Sequence, residues 1–412
     1  MITFKGASAH SSGEQPATSF QRLNSLLQGV APGMDPIVMT VGEPRHALPD
    51  FVGPVLAENL DDFRRYPAMQ GTEAFRQAVA GWLDRRYGLD GRIDADRHIV
   101  PLNGSREGLF FAAIAARDFL AKITDNPAFL LPNPYYHTYS AGAYGAGAEA
   151  VYLDATAETN FLPDLDALDP ALLDRSIAIY LASPANPQGA VASLDYWKTL
   201  IGLSRKHRFF IFADECYSEI YRDAPPPGVL QAAKDLSEPD GELDLSGIIA
   251  FNSLSKRSNL AGLRCGFAVG DPEFMANWLT LRNRAAPQVP MPVQAVAVAA
   301  YADEAHVEEN RRLYNAKYKV AEKHLGALCG DTTPQGGFFI WLDVSRWGYG
   351  VEVTQRLWSE AGVKVVPGSY LTQTAANGEN AGADYIRIAM VESLETTERA
   401  MERIAACLRG WS

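Results

Sequence analysis

Cysteine is scarce in this chain. Four in 412 residues, Cys216, Cys265, Cys329 and Cys407, stand far apart with no Cys-x-x-Cys spacing, which argues against a disulfide framework or a zinc site, since both use closely grouped sulfurs. All four fall in segments that read as buried strand or helix, so reduced core thiols are expected. The seven histidines form no His-x-x-x-His pair, and no metal is expected. Long apolar runs are missing as well: none reaches the ~18–20 residues that a membrane span needs. The opening stretch, Met1 to Gly13, has no apolar core of signal-peptide length. A cytoplasmic protein without a membrane partner is the expectation. Basic clusters are absent too. With 37 lysines and arginines against 49 acidic residues the formal charge is −12, and a chain without a basic face is not built to neutralise nucleic-acid phosphates. Gly142, Gly145 and Gly147 lack the G-x-G-x-x-G spacing of a dinucleotide loop and read as a helix running into a turn.

What is present is the composition of an ordinary globular protein, 47% hydrophobic and 21% charged, with length enough for two or three domains. The first ~40 residues, punctuated by Gly and Pro, read as an arm. Thr72 caps an amphipathic helix through Phe75, Val79 and Leu83 that stops near Gly88, and Asn103-Gly104-Ser105 opens an Ala-rich helix from Arg106 to about Leu120. Short, fully apolar runs at 128–131, 150–153, 177–182, 209–213, 248–251 and 265–269 then alternate with polar or helical stretches. Strands without polar alternation are expected where helices cover both faces of a mostly parallel sheet, so the middle of the chain reads as an α/β layer domain. After 287–292 the character changes to a long helical region over 294–328, with a break near Asp303. A smaller α+β unit follows, with strands at 338–343, 363–366 and 385–390. The expected division is an N-terminal arm with part of the small domain over 1–45, a large domain over 46–290 and a small domain over 291–412.

Lys256 lies in Asn252-Ser253-Leu254-Ser255-Lys256-Arg257, just past the apolar run 247–251, and Arg264 and Gly266 follow. Open α/β sheets bind ligands at the carboxyl ends of their strands, and a lysine there suits Schiff-base chemistry with a carbonyl compound. Pyridoxal 5'-phosphate is such a carbonyl, and each task in holding it predicts a residue type. For the phosphate, Gly104, Ser105 and Arg106 stand at a helix start, where free N–H groups favour an anion, and Ser253 and Arg264 add a hydroxyl and a cation; Ser105 reads equally as a plain helix cap. For the ring nitrogen, Asp214 ends the strand 209–213. Tyr217 and Asn186 could bond the ring oxygen, and Tyr217 also reads as an ordinary half-buried tyrosine. Tyr136 is the aromatic chosen to cover the ring. For a substrate carboxylate, Arg387 sits inside an otherwise apolar strand, where a charge is costly unless paired; a surface-facing arginine is the other reading. A second, distal carboxylate would fall to Arg22, Arg282, Arg284 or none of them.

With these residues assembled, the chain resembles the class I/II aminotransferases, pyridoxal phosphate enzymes of fold type I, over nearly its whole length. Val41-Gly42-Glu43-Pro44 is similar to the family's N-terminal glycine motif, Tyr66-Pro67 with Gly71 to its Tyr-x4-Gly segment, and Ser253 to Arg264 to its Ser-x-x-Lys…Arg signature; Gly336-Gly337-Phe338, Pro367-Gly368 and Arg387 complete the set. The resemblance implies a large domain with a mostly parallel seven-stranded sheet between helices, plus a smaller α+β domain. It implies that Lys256 carries the cofactor as a Schiff base, that Asp214 pairs the pyridine nitrogen, and that Asn186 and Tyr217 bond the ring oxygen. Ser105, Arg106, Ser253 and Arg264 would hold the cofactor's phosphate, Gly104 and Ser255 would be further cofactor-binding residues, and Gly42, Asn186 and Arg387 would bind the substrate. It implies a homodimer, with Tyr66 reaching the neighbouring subunit's phosphate.

The strings Pro132-Asn133-Pro134-Tyr135-Tyr136, Phe161-Leu162-Pro163-Asp164-Leu165, the run 214–221 and the run 253–263 further resemble the succinyldiaminopimelate aminotransferase branch. That implies a ping-pong transfer from glutamate to N-succinyl-2-amino-6-ketopimelate in lysine and diaminopimelate synthesis. Two departures bear on the acceptor: Gln188 stands where the family usually has Thr, and Ala185 where Gly or Asn is usual. The alternatives are an aminotransferase of aspartate, alanine or aromatic specificity, a β-lyase on the same fold and, more remotely, a non-catalytic regulatory module.

Overall fold

The computed structural model describes residues 18–120, 122, 124–239 and 241–411; the first seventeen residues of the expected arm lie outside them. In chain order the strands are β1 (Ile37–Val38), β2 (Ile99–Leu102), β3 (Ala128–Asn133), β4 (Glu149–Asp154), β5 (Ser176–Ala182), β6 (Phe210–Asp214), β7 (Ile248–Ser253), β8 (Gly266–Gly270), β9 (Phe339–Asp343), β10 (Val363–Lys364), β11 (Val366–Pro367) and β12 (Tyr385–Ala389). Seven of them form one sheet in the order β2-β8-β7-β6-β5-β3-β4. Pairing is parallel from β7 through β4, while β8 runs antiparallel to both of its neighbours.

The apolar runs are explained by burial on both faces. On β6, Ile211 and Ala213 join one core with Trp82, Leu200 and Phe267, while Phe210 and Phe212 join a second with Phe129, Phe274 and Trp278. On β7, Ile248 and Ala250 take the first side, Ile249 and Phe251 the second. A strand buried on both faces needs no polar positions, which is why its sequence carries none. β2 is not among the expected strands because it is only four residues long and contains Pro101; a proline lacks the ladder N–H and is tolerated at a sheet edge, where β2 lies.

The glycine series finds its reason in helix packing. Helix His137–Gly145 lies against helix Ser105–Leu120, and a Cβ at Gly142 would meet the Tyr180 hydroxyl and Ala113. Helix Ser105–Leu120 begins one residue earlier than expected, so Ser105 is its first helical residue and not its cap.

The smaller unit is an antiparallel sheet, β11-β12-β9, backed by helices Ala305–Cys329, Gly350–Ala361 and Leu394–Gly410, with Leu342, Ile386, Leu357, Met401 and Ile404 in its core. The expected strand at 363–366 is two: β10 pairs in parallel with β1, and β11 pairs with β12. Through β1 the N-terminal segment joins this unit. The break near Asp303 separates helix Met291–Ala302 from helix Ala305–Cys329. The first of these packs Val296, Ala297, Ala300 and Tyr301 into the same core as Trp82, and we propose that the domain division falls at residues 303–304, not at 290. No helix among the described residues is long and apolar enough to cross a membrane.

Candidate active site

β3, β5, β6 and β7 are mutually parallel, so their carboxyl ends share one edge of the sheet, and the candidate residues gather there. Lys256 lies in the helical turn Leu254–Arg257 directly after β7, a turn capped by the Ser253 hydroxyl, which accepts from the Ser255 N–H at 3.2 Å and donates to the Ser255 hydroxyl at 2.9 Å. The Lys256 Nζ donates to the Gly42 carbonyl at 2.6 Å and lies 5.0 Å from the Phe338 ring centre. Burial lowers this amine to about 8, because the charged form is poorly solvated there. A Cβ at Gly42 would run into the rings of Phe339 and Phe338, so the close approach of this carbonyl needs glycine.

Asp214 ends β6 and is 7% exposed. Its Oδ2 accepts from the Tyr139 hydroxyl at 2.8 Å and its Oδ1 from the Cys216 N–H at 3.2 Å. Tyr139 is held in turn by stacking on Tyr180, with ring centres 4.5 Å apart and planes 11° from parallel. Tyr139 is not among the residues expected from the sequence, which singles out Tyr136, three positions away. Tyr217 is buried edge-on against Phe338. Its phenol is held well above its usual range by burial and then by the Asp214 charge, so it stays a proton donor. The adjacent Glu215, also unforeseen, accepts from the Tyr87 hydroxyl at 2.7 Å and the Val229 N–H at 2.8 Å, which fixes the turn that carries Asp214 and Tyr217.

Asn186 lines a small cavity with Tyr136, Tyr139, Phe161, Leu162 and Gln188, and the Asn186–Pro187 bond is cis. Gln188 is buried and its Oε1 has no partner among the described residues. Tyr136 sits at the start of helix His137–Gly145, and its hydroxyl accepts from Arg106 Nε at 2.8 Å. Gly104 has φ +79°, and the place a Cβ would take is filled by the Arg264 guanidinium. Arg264 donates to the Ala261 carbonyl at 2.9 Å and the Asn103 carbonyl at 3.3 Å, beside the N-terminal N–H groups of helix Ser105–Leu120.

Arg387 is 7% exposed on β12, which overturns the surface-facing reading. Its Nη2 donates to the Thr40 carbonyl at 2.7 Å, and its guanidinium lies 4.5 Å from the centre of the Phe339 ring. Its Nε has no partner among the described residues, and burial lowers it to about 10. A buried guanidinium with free donors is incomplete without an anion. Two other residues stand as follows. Arg282 is 1% exposed and its guanidinium is engaged by Glu107, with both contacts at 2.8 Å. Tyr66 is 96% exposed and is not packed into the site of its own chain.

The donor set fits pyridoxal phosphate. A helix start beside Gly104 and Arg264 suits its phosphate, a buried carboxylate its ring nitrogen, a protonated phenol its ring oxygen, and a buried amine its aldehyde. Among the described residues no group of His, Cys, Asp and Glu is arranged to hold a metal ion.

Comparison with known proteins gives the same direction. The family model described as "Aminotransferase class I and II" matches residues 34–404. LL-diaminopimelate aminotransferase 2 of Nostoc sp. (strain PCC 7120) is 30% identical over 400 residues, covering 94% of this chain and 95% of that protein. Among solved structures, an aminotransferase from Neisseria meningitidis Z2491 is 36% identical with a TM-score of 0.87, covering 95% of this chain and 97% of the other. A probable N-succinyldiaminopimelate aminotransferase from Thermus thermophilus is 25% identical with a TM-score of 0.79, covering 95% and 100%.

Proposed function

The chain belongs to the class I and II aminotransferases, and from that premise we propose that it uses pyridoxal 5'-phosphate attached at Lys256 to move an amino group from glutamate to a keto acid of the diaminopimelate series. One observation carries the reading of the site. Arg387 donates to the carbonyl of Thr40 and Lys256 to the carbonyl of Gly42, two positions apart on the segment that follows β1. The guanidinium and the amine therefore face one short piece of backbone, where an α-amino acid can present its carboxylate to the fork and its amine toward the lysine.

The bound cofactor supplies a carbonyl for condensation with amines and a ring that withdraws electrons from the substrate's Cα. The chain's own residues do the rest. Asp214, buried and fixed by Tyr139, holds the proton on the ring nitrogen. Tyr217 donates to the ring oxygen, with Asn186 beside it. The helix start at Ser105, with Gly104, Arg106, Ser253, Ser255 and Arg264, binds the phosphate. Arg387 binds the substrate carboxylate through the guanidinium N–H groups that the Thr40 carbonyl leaves free. Lys256 Nζ, with its proton affinity lowered by burial, takes the proton from substrate Cα and gives it up again on the way to product, serving as base and then acid.

For the acceptor, the first reading is N-succinyl-2-amino-6-ketopimelate, supported by the name of the Thermus thermophilus relative. A second, the unsuccinylated compound, is favoured by the name of the Nostoc relative. A panel of keto acids with glutamate as donor tests both; turnover with small neutral keto acids alone would exclude the series. We further propose a homodimer with a shared site. Leu60, Phe63 and Tyr66 stand 57%, 56% and 96% exposed within seven residues, three large side chains set among Asp61, Asp62, Arg64 and Arg65, a mixed apolar and charged surface of the kind a partner subunit covers. Sedimentation of the intact protein tests it.

A further inference from the structure

The segment that carries Thr40 and Gly42 continues into Arg45 and His46, and His46 is tied back to the lysine it serves. Lys317 Nζ lies 2.8 Å from His46 Nε2, and His46 Nδ1 lies 2.7 Å from Asn310 Oδ1. The Asn310 amide donates to the carbonyls of Lys256 at 3.1 Å and Arg257 at 3.3 Å. The directions follow from chemistry. An ammonium only donates, so Nε2 of His46 is the acceptor; Nδ1 then carries the proton and donates to Asn310, whose amide nitrogen is left to face the two carbonyls. Every group has one role and all of them agree. Asn310 and Lys317 are each 2% exposed, and the His46 ring packs 4.4 Å from that of Tyr314. Burial, followed by the nearby Lys317 charge among the lowering effects, keeps the imidazole neutral, the state this arrangement requires.

The result is a closed circuit that begins and ends on Lys256. Its side chain bonds to Gly42, the backbone runs on to His46, and His46 returns through Asn310 to the Lys256 carbonyl. The circuit joins the 40–46 strap, helix Ala305–Cys329 of the small unit and the turn Leu254–Arg257 of the large one. On the other flank an Arg45–Glu392 ion pair holds the same strap.

We propose that His46 is a positioning residue: bonded to Lys317 and Asn310, it fixes the strap so that Gly42 and Thr40 stay opposite Lys256 and Arg387 when substrate enters. The role deepens the aminotransferase reading and rests on it for its kinetic consequence, though not for its structural one. Glutamine can accept from Lys317 through its carbonyl and donate to Asn310 through its amide, so His46→Gln preserves the circuit while His46→Leu breaks it. Hydrogen–deuterium exchange on the cofactor-free full chain should show residues 38–48 exchanging about tenfold faster in His46→Leu, with β5 and β6 unchanged, and near wild-type exchange in His46→Gln. In the loaded enzyme, His46→Leu should raise KM for donor and acceptor about tenfold with kcat within about twofold, the pattern of lost uniform binding, and His46→Gln should restore both. Unchanged strap exchange in His46→Leu, or equal damage from glutamine and leucine, overturns the proposal. A wild-type protein without transaminase turnover but with His46-dependent strap exchange would overturn the functional reading alone. If His46→Leu does not fold, Asn310→Ala opens the same circuit and is judged by the same exchange and KM criteria.

Discussion

Tyr139 donates its phenolic hydrogen to Asp214 at 2.8 Å, in a layer where Tyr139 is 1% and Asp214 7% exposed. The contact determines where the carboxylate points, since its other oxygen is bound by the Cys216 N–H of its own turn. Tyr139→Phe keeps the stacking on Tyr180 and removes only the hydrogen bond. A hydrogen bond to a buried charge is worth ~1.5–3 kcal/mol, so affinity for pyridoxal phosphate should fall ~10- to 100-fold in a titration of the apo protein. Unchanged affinity would mean that Asp214 needs no such support.

Arg387 poses a different question, because its charge can be kept while its shape is lost. In Arg387→Lys the ammonium is a point donor that cannot bind both carboxylate oxygens in plane. The expected result is a fall of about a hundredfold in kcat/KM for the amino donor, carried mainly by KM, with cofactor affinity unaltered. Steady-state kinetics on the substituted enzyme decide it; a loss residing wholly in kcat would count against a substrate-binding role.

These two residues also mark how far the sequence could be read. Arg387 stands out because a charge inside an apolar strand is anomalous wherever it occurs. Lys256, Asp214 and Asn186 are legible for a related reason, each following an apolar run and therefore standing at a strand end. Tyr139 offers no such signal: it is one of three tyrosines within five residues, and only the packing of helix His137–Gly145 on the sheet turns it toward Asp214. The same holds for Glu215, whose partner Tyr87 is 128 residues away, and for His46, whose contacts lie on a helix more than 250 residues downstream. Local pattern reports burial and periodicity; it does not report which distant element will be opposite. The packing of helix Met291–Ala302, on which the proposed division at 303–304 rests, is obscured likewise, because that helix looks like the start of the small unit until its apolar face is seen in the large core.

Gly104 and Gly88 separate backbone strain from site geometry. Both adopt left-handed conformations, φ +79° and +61°, but nothing lies within 4 Å of a Cβ at Gly88, while at Gly104 it would displace the Arg264 guanidinium. Alanine at either position carries a conformational cost of about 1–2 kcal/mol. Gly104→Ala alone should also weaken phosphate binding, seen as a tenfold or greater loss of affinity for pyridoxal phosphate, with Gly88→Ala unaffected in the same titration. Equal affinities in the two variants would remove Arg264 and Gly104 from the phosphate site.

Lys256 should be a burden to the fold when the cofactor is absent. Its amine loses its proton at about 8 in the folded apo chain, against an ordinary value near 10.5, because burial penalises the ammonium. Below pH 8 both folded and unfolded chains are protonated and the full penalty is carried, about 3 kcal/mol at 1.36 kcal/mol per pH unit. Between 8 and 10.5 the unfolded chain binds the extra proton, so stability rises with pH across that window as the penalty is relieved. Lys256→Met removes the charge and keeps most of the volume. The apo variant should therefore melt about three to four degrees above the wild type at pH 7, and the gap should narrow as the pH is raised from 8 toward 10. The same substitution should abolish covalent cofactor attachment and multiple-turnover transamination. In the wild type, attachment of pyridoxal phosphate to the apo protein should accelerate with pH and level off above about 8, since only the free amine condenses with the aldehyde. A variant less stable than the wild type at pH 7, or attachment that keeps accelerating to pH 10, would show that the amine is not held in the low-dielectric setting that its chemistry requires.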